Sequence, residues 1–186
     1  MKAPAENVSK KSEPSAAPQP LPEGAASRRI LVVDDDPAVR ESLRKVLKAE
    51  GYAVTLAADD REAVERFNAE RIDLVLLDLN LPVNSGWDTF GTLTAIDPLR
   101  PIIIITGRQN QFELAAAAGV SALMVKPLNV PRLLQWIADL LAEEPAMRLK
   151  RLVGVSHDFR YVPPLTPKRG AASPVRRSIQ DNRNPS

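Results

Sequence analysis

Ile30-Leu31-Val32-Val33-Asp34-Asp35-Asp36-Pro37 reads as a buried strand that stops on three carboxylates and hands over to a helix. Four consecutive branched apolar residues leave no polar face, so the strand is covered on both sides, as in a parallel sheet. Asp36 is placed to cap the next helix, and Pro37 to take its first position, where a missing N–H costs nothing. Asp34 and Asp35 are left crowded at the strand end. Their charges repel unless a cation binds between them, and an all-oxygen ligand set suits a hard divalent ion such as Mg²⁺. This motif alone leaves metal binding and plain capping both open.

Outward from it, short apolar runs recur at 53–57, 74–77, 102–105 and 122–125. Amphipathic stretches separate them. Val39, Leu43, Val46 and Leu47 mark one helical face before Gly51, and Ala63, Val64 and Phe67 mark a second. Residues 114–118 end at Gly119, and Leu133, Leu134, Ile137, Leu140 and Leu141 outline a last helix before Pro145. The helix over 87–95 carries the weakest pattern, because Gly91 and three threonines interrupt it. Five strand–helix alternations predict a doubly wound (βα)5 domain with a five-stranded parallel sheet of order 2-1-3-4-5. Such sheets bind ligands at the carboxyl ends of strands 1 and 3.

Those ends carry a consistent set of side chains. The third strand ends at Asp78, followed by Leu79-Asn80-Leu81-Pro82; the fourth ends at Thr106 and the fifth at Lys126-Pro127. Singly, each has a plain explanation: a turn-forming Asp, a β-branched strand residue, a surface lysine. Together they put a hydroxyl and a cation beside three carboxylates. An Asp nucleophile that forms an acyl phosphate, with the phosphoryl group held by lysine, hydroxyl and metal, fits that combination.

The ordered motifs Ile30 to Pro37, Asp73-Leu-Val-Leu-Leu-Asp78, Leu81-Pro82 with Gly86, Pro101-Ile-Ile-Ile-Ile-Thr106 and Val125-Lys126-Pro127 resemble response-regulator receiver domains of two-component phosphorelays. The resemblance covers roughly residues 28–145 and implies a flavodoxin-like fold. By the same resemblance, Asp78 accepts a phosphoryl group from a phosphohistidine of a sensor histidine kinase or histidine phosphotransfer protein. Mg²⁺ is then held by Asp34, Asp35, Asp78 and the backbone carbonyl of Asn80. Thr106 hydrogen-bonds the phosphoryl group, Lys126 pairs with it, and the Lys126–Pro127 bond is cis. The expected activity is confined to phosphorylation and dephosphorylation of the chain's own aspartate. Two positions depart from the family pattern: Leu123 stands where an aromatic switch residue is usual, and Gly107 where Ala is more common.

Composition narrows the alternatives. The chain has no cysteine and one histidine, His157, so disulfides, thiolate metal sites and cysteine nucleophiles are excluded. No run of about 18 apolar residues and no secretion signal occur, which predicts a cytoplasmic location and no membrane contact. Residues 28–145 hold 13 Lys/Arg against 18 Asp/Glu, a net −5, whereas 146–186 hold 9 against 2, a net +7. Residues 1–27, rich in Pro and Ala, read as a disordered extension, and 146–186 as a basic, Pro-containing tail without a folded output domain. A phosphoesterase of the haloacid dehalogenase type would want a second acid two places after the nucleophile, where this chain has Asn80. A pseudo-receiver acting as a protein-binding platform would lack one of Asp35, Asp78 or Lys126. Nucleic-acid binding through the tail rests on its nine cations, with Phe159 and Tyr161 available for stacking. A downstream target protein is the remaining partner class.

Overall fold

Residues with no polar face pair as predicted. The computed structural model describes residues 27–82, 85–108, 110–152 and 160–163. In chain order the elements are β1 Arg29–Val33, α1 Pro37–Ala49, β2 Ala53–Ala57, α2 Asp60–Ala69, β3 Leu74–Asp78, α3 Gly86–Ile96, β4 Ile102–Thr106, α4 Phe112–Ala117, β5 Ala122–Val125, α5 Val130–Ala142, α6 Pro145–Leu152 and β6 Arg160–Val162. The sheet order is β2-β1-β3-β4-β5-β6, all parallel.

Side chains alternate between two apolar layers. Leu31, Val33, Leu77, Ile104 and Leu123 face a cluster completed by Phe67 and Leu93, while Ile30, Val32, Leu76 and Met124 face Leu47 and Ile137 on the other side. Each such aliphatic side chain contributes about 1.5–3 kcal/mol on burial. The helices begin and end on local signals. Asp36 Oδ1 accepts from Ala38 N at 2.8 Å, and Asn129 Oδ1 accepts from Arg132 N at 3.1 Å. Gly51 and Gly119 close α1 and α4 in the left-handed region, at φ +84° and +71°. Helix α3 forms despite its poor composition: Ser85 and Asp88 make a capping box at its start, and Phe90 and Leu93 are buried in the core, while the Thr92 and Thr94 hydroxyls bond back to the carbonyls of Asp88 and Phe90.

The expected five-stranded sheet with an unstructured tail is extended at the end of the chain. Helix α6 and a sixth strand, β6, follow α5, and β6 lies on the edge of β5 with Leu123 opposite Tyr161. Helix α6 is amphipathic but only 8 residues long, so its apolar period is too brief to stand out in the sequence. β6 is three residues long, and α6 is fixed by a polar side chain: Arg148 donates from Nη2 to the Leu140 carbonyl at the end of α5, at 2.6 Å. A cation there also offsets the negative end of that helix. The 1–27 extension, apart from Ser27, and residues 153–159 and 164–186 of the tail lie outside the described residues. Among the described residues no helix is long and apolar enough to cross a membrane.

Candidate functional site

Register brings the strand ends level. Val33 pairs with Leu77, so the next residues, Asp34 and Asp78, emerge side by side; Asp78 pairs with Ile105 and Thr106 with Val125, which places Thr106 and Lys126 on the same edge. The chain therefore gathers five predicted residues, 34, 35, 78, 106 and 126, at the carboxyl end of the sheet.

Lys126 is the centre of that group. Its Nζ donates to Asp34 Oδ2 at 2.9 Å and to Asp78 Oδ2 at 2.6 Å, and both carboxylates are almost wholly buried. The other oxygens are held by backbone: Asp34 Oδ1 accepts from Asp36 N at 2.9 Å, and Asp78 Oδ1 from Asn80 N at 3.0 Å. Lys126 N in turn donates to the Thr106 carbonyl at 2.8 Å, and the Lys126–Pro127 bond is cis, as expected. Burial pushes the Asp34 carboxyl above the usual range, and the adjacent Asp78 adds to this, against the opposing pull of Lys126. Burial works against the Lys126 charge, but hydrogen bonds to Asp78 and Asp34 outweigh it and raise its pKa.

The acidic group fits a divalent cation. Asp34, Asp35 and Asp78 each offer a carboxylate oxygen, all within 4.8 Å of one another. One ammonium faces three carboxylates, and no described residue donates to the exposed carboxylate of Asp35. Uncompensated negative charge on an all-oxygen donor set is the chemistry that Mg²⁺ satisfies.

Thr106 is fully buried, and its Oγ1 accepts from Arg108 N at 3.0 Å. Asn80 is reached by a residue that the sequence did not single out: Arg108 Nε donates to its Oδ1 at 2.7 Å, tying the β4–α4 loop to the β3–α3 loop. A second tie between the same regions is Trp87 Nε1 donating to Gln111 Oε1 at 3.0 Å. Arg40 also belongs to the site, donating from Nη1 to the Asp34 carbonyl at 2.5 Å. The Arg108–Asn80 and Trp87–Gln111 contacts have no sequence signature, since they join residues 28 and 24 positions apart. The Arg40 contact, though only 6 positions from Asp34, follows no periodic pattern.

The two departures are accommodated. A Cβ on Gly107 would meet only Asn80 Nδ2, at 3.6 Å, an ordinary contact, so the glycine is not enforced by crowding. Leu123 is wholly buried in the cluster with Phe90 and Ala115. Two tail residues considered for nucleic-acid contact have partners within the fold: Arg148 faces backbone carbonyls, and the Tyr161 ring lies against Phe112.

Comparison with known proteins agrees with this fold. The family model "response regulator receiver domain" matches residues 30–138. The chain is 41 % identical over 115 residues to the response regulator MprA of Mycolicibacterium vanbaalenii, covering 61 % of this chain and 50 % of that protein. It is 38 % identical over 136 residues to MprA of Mycobacterium tuberculosis, covering 68 % and 59 %. It thus spans little more than half the length of these relatives. Among solved structures, a CheY-like receiver domain protein of Methanospirillum hungatei superposes with a TM-score of 0.60 at 31 % identity, covering 67 % of this chain and 98 % of that one. The response regulator TrrA of Thermotoga maritima, solved in complex with Mg²⁺ and BeF, gives 0.57 at 32 % identity, covering 61 % and 98 %.

Proposed function

The chain belongs to the response regulator receiver domain family, and from that premise we propose that Asp78 is its phosphoacceptor, with Asp34 and Asp35 holding Mg²⁺ beside it. The observation that carries the proposal is the convergence of Asp34 and Asp78 on one ammonium group, Lys126 Nζ, at 2.9 and 2.6 Å.

In the proposed reaction a carboxylate oxygen of Asp78 attacks the phosphorus of a phosphohistidine. An O–P bond forms, the P–N bond breaks, and its electron pair returns to the imidazole. Asp34, Asp35, Asp78 and the backbone carbonyl of Asn80 would hold the ion, which supplies neutralising charge for the phosphoryl oxygens. Lys126 exchanges a carboxylate partner for a phosphoryl oxygen, which keeps its positive charge matched. The Thr106 hydroxyl lies on the neighbouring strand end, one residue beyond the Asp78–Ile105 pair, and donates to another phosphoryl oxygen. No carboxyl group stands two places after Asp78 to protonate an alcohol leaving group, which supports self-phosphorylation over turnover of external phosphoesters.

A sensor histidine kinase or histidine phosphotransfer protein is the proposed donor. An open apolar groove of about 300 Å³ lies between α1 and the segment after Pro127, lined by Val39, Leu43, Val46, Leu128 and Val130. It adjoins the site and suits the apolar face of a donor helix. The test is intact mass spectrometry after exposure to acetyl phosphate. One added phosphoryl group is expected with Mg²⁺ and none with a chelator; metal-independent labelling would overturn the reading.

A further inference from the structure

The segment that leads from β4 into α4 is fastened to its surroundings by side chains rather than by packing. Arg108 donates its backbone N–H to Thr106 Oγ1 at 3.0 Å and its Nε–H to Asn80 Oδ1 at 2.7 Å, so one residue is tied to two groups of the carboxylate site. Three residues on, Gln111 Oε1 accepts the Trp87 indole N–H at 3.0 Å, which joins the start of α4 to the first turn of α3. Between Arg108 and Gln111, Asn110 holds φ +64°, a left-handed conformation that non-glycine residues seldom adopt. Helix α4 itself has few other fixings. It is six residues long, Ala115 is its one buried residue, and Phe112 and Leu114 are 39 % and 51 % exposed. Isolated helices that short are not stable in water, so contacts outside the helix decide where it lies. Those contacts are Ala115 in the core, the Phe112 ring against Tyr161, and the indole bond to Gln111, whose side chain makes no cap bond to α4. Leu123, in the same core cluster as Ala115, is aliphatic and offers α4 no hydrogen bond. Trp87 is well secured at its own end: its ring packs on that cluster and meets Phe90 edge-on, with centroids 5.7 Å apart.

We propose that Trp87 and Gln111 form a latch that ties α4 to α3 while Asp78 is unmodified, and that a phosphoryl group on Asp78 opens it through Arg108; the opening step rests on the reading of Asp78 as phosphoacceptor. When the Thr106 hydroxyl turns to a phosphoryl oxygen and the Asn80 carbonyl to the ion, both partners of Arg108 are drawn toward Asp78. Arg108 then follows them or loses its bonds, and the short link to Gln111 carries the displacement to the indole. Asn110 gives that link a residue at which to turn. One neutral hydrogen bond is a weak fastening, so a small displacement at the site suffices to break it. Trp87 and Gln111 are positioning residues in this scheme and touch none of the reacting atoms.

The test uses the full chain, ¹⁵N-labelled, which has two tryptophans, Trp87 and Trp136, so that W87F assigns both indole signals. In the unmodified protein, W87F removes the donor and Q111M the acceptor, with ring and chain length kept. Each should speed solvent exchange of the Ala115 and Ala118 amides, which donate to the Gln111 and Leu114 carbonyls, at least three-fold. Q111E, which retains an acceptor oxygen, should exchange like the parent. Addition of Mg²⁺ and beryllium fluoride, a mimic of the phosphoryl group, should speed exchange of the Trp87 indole proton at least five-fold and leave that of Trp136 unchanged. Parent-like α4 exchange in both W87F and Q111M would overturn the latch, as would a Q111E protein that behaves like Q111M. A Trp87 indole proton that stays protected in the adduct would overturn its opening. Absence of a bound ¹⁹F signal shows that no adduct forms, which overturns the reading of Asp78 and the opening with it, while the α4 exchange rates still decide whether the latch exists. Should W87F lose its dispersed spectrum, the contrast between Q111M and Q111E decides the same point.

Discussion

Gly86 lies so close to Leu79 that a Cβ built on it would stand 2.4 Å from the Leu79 Cα and 2.5 Å from the Asp78 carbonyl oxygen. Both are backbone atoms and cannot swing aside. Gly86 N also donates to the Leu79 carbonyl at 3.2 Å, so the start of α3 is clamped on the strand end that carries Asp78. G86A should therefore cost at least the roughly 1–3 kcal/mol typical of overpacking, read as a lower urea midpoint, and should impair phosphorylation as Asp78 shifts. Gly91, in the same helix, has nothing within 4 Å of its Cβ position. G91A should gain up to about 1 kcal/mol from helix propensity. Equal effects of the two changes would contradict the close approach.

Lys126 neutralises two buried carboxylates at once, so its removal leaves like charges facing each other. Breaking a buried ion pair costs about 3–5 kcal/mol, and the partial exposure of this ammonium places K126M at or below the low end of that range. The loss should appear in urea unfolding in the presence of a chelator and shrink when Mg²⁺ is added. A K126M protein as stable as the parent without metal would show that the carboxylates are not charged in the folded state.

The Mg²⁺ site predicts opposite responses to acid in the two metal states. Burial raises the Asp34 carboxyl above its unfolded value, so the folded protein takes up that proton more readily than the unfolded chain. As pH falls through the raised value, this group's contribution to metal-free stability rises. Mg²⁺ needs the carboxylate, so its binding weakens over the same range. The difference in urea midpoint with and without Mg²⁺ should therefore narrow as the pH is lowered through the raised Asp34 value. A difference that holds constant would place the ion away from Asp34.

Asp35 is the exposed member of the trio, without a donor among the described residues. D35A should leave the metal-free protein within about 0.5 kcal/mol of the parent while raising the Mg²⁺ dissociation constant measured by calorimetry. An unchanged constant would remove Asp35 from the metal site.

How far the sequence could be read follows from where the physics is local. The runs at 30–33 and 102–105 have no polar face, so only a doubly covered sheet accommodates them, and Asp36, Gly51 and Gly119 punctuate helices through their own backbone and side-chain chemistry. The gathering of Asp34, Asp78, Thr106 and Lys126 followed from topology, because the register of parallel strands puts their ends level. Contacts without a period stayed hidden. The Arg108–Asn80 bond joins two loops, Arg148 anchors α6 through a carbonyl 8 residues away, and β6 is too short to show alternation. The need for glycine at position 86 is likewise set by the backbone of Leu79, which only the folded chain brings near.

The central claim, that Asp78 accepts the phosphoryl group, is tested most directly by trapping the acyl phosphate. Treatment with acetyl phosphate and Mg²⁺, then borohydride, reduces an aspartyl phosphate to homoserine, which peptide mass spectrometry locates in the chain. The account predicts homoserine at position 78 alone, and none in D78A or in protein treated without Mg²⁺. Homoserine at another aspartate in the unaltered protein, or a phosphoryl group that resists borohydride, would contradict it.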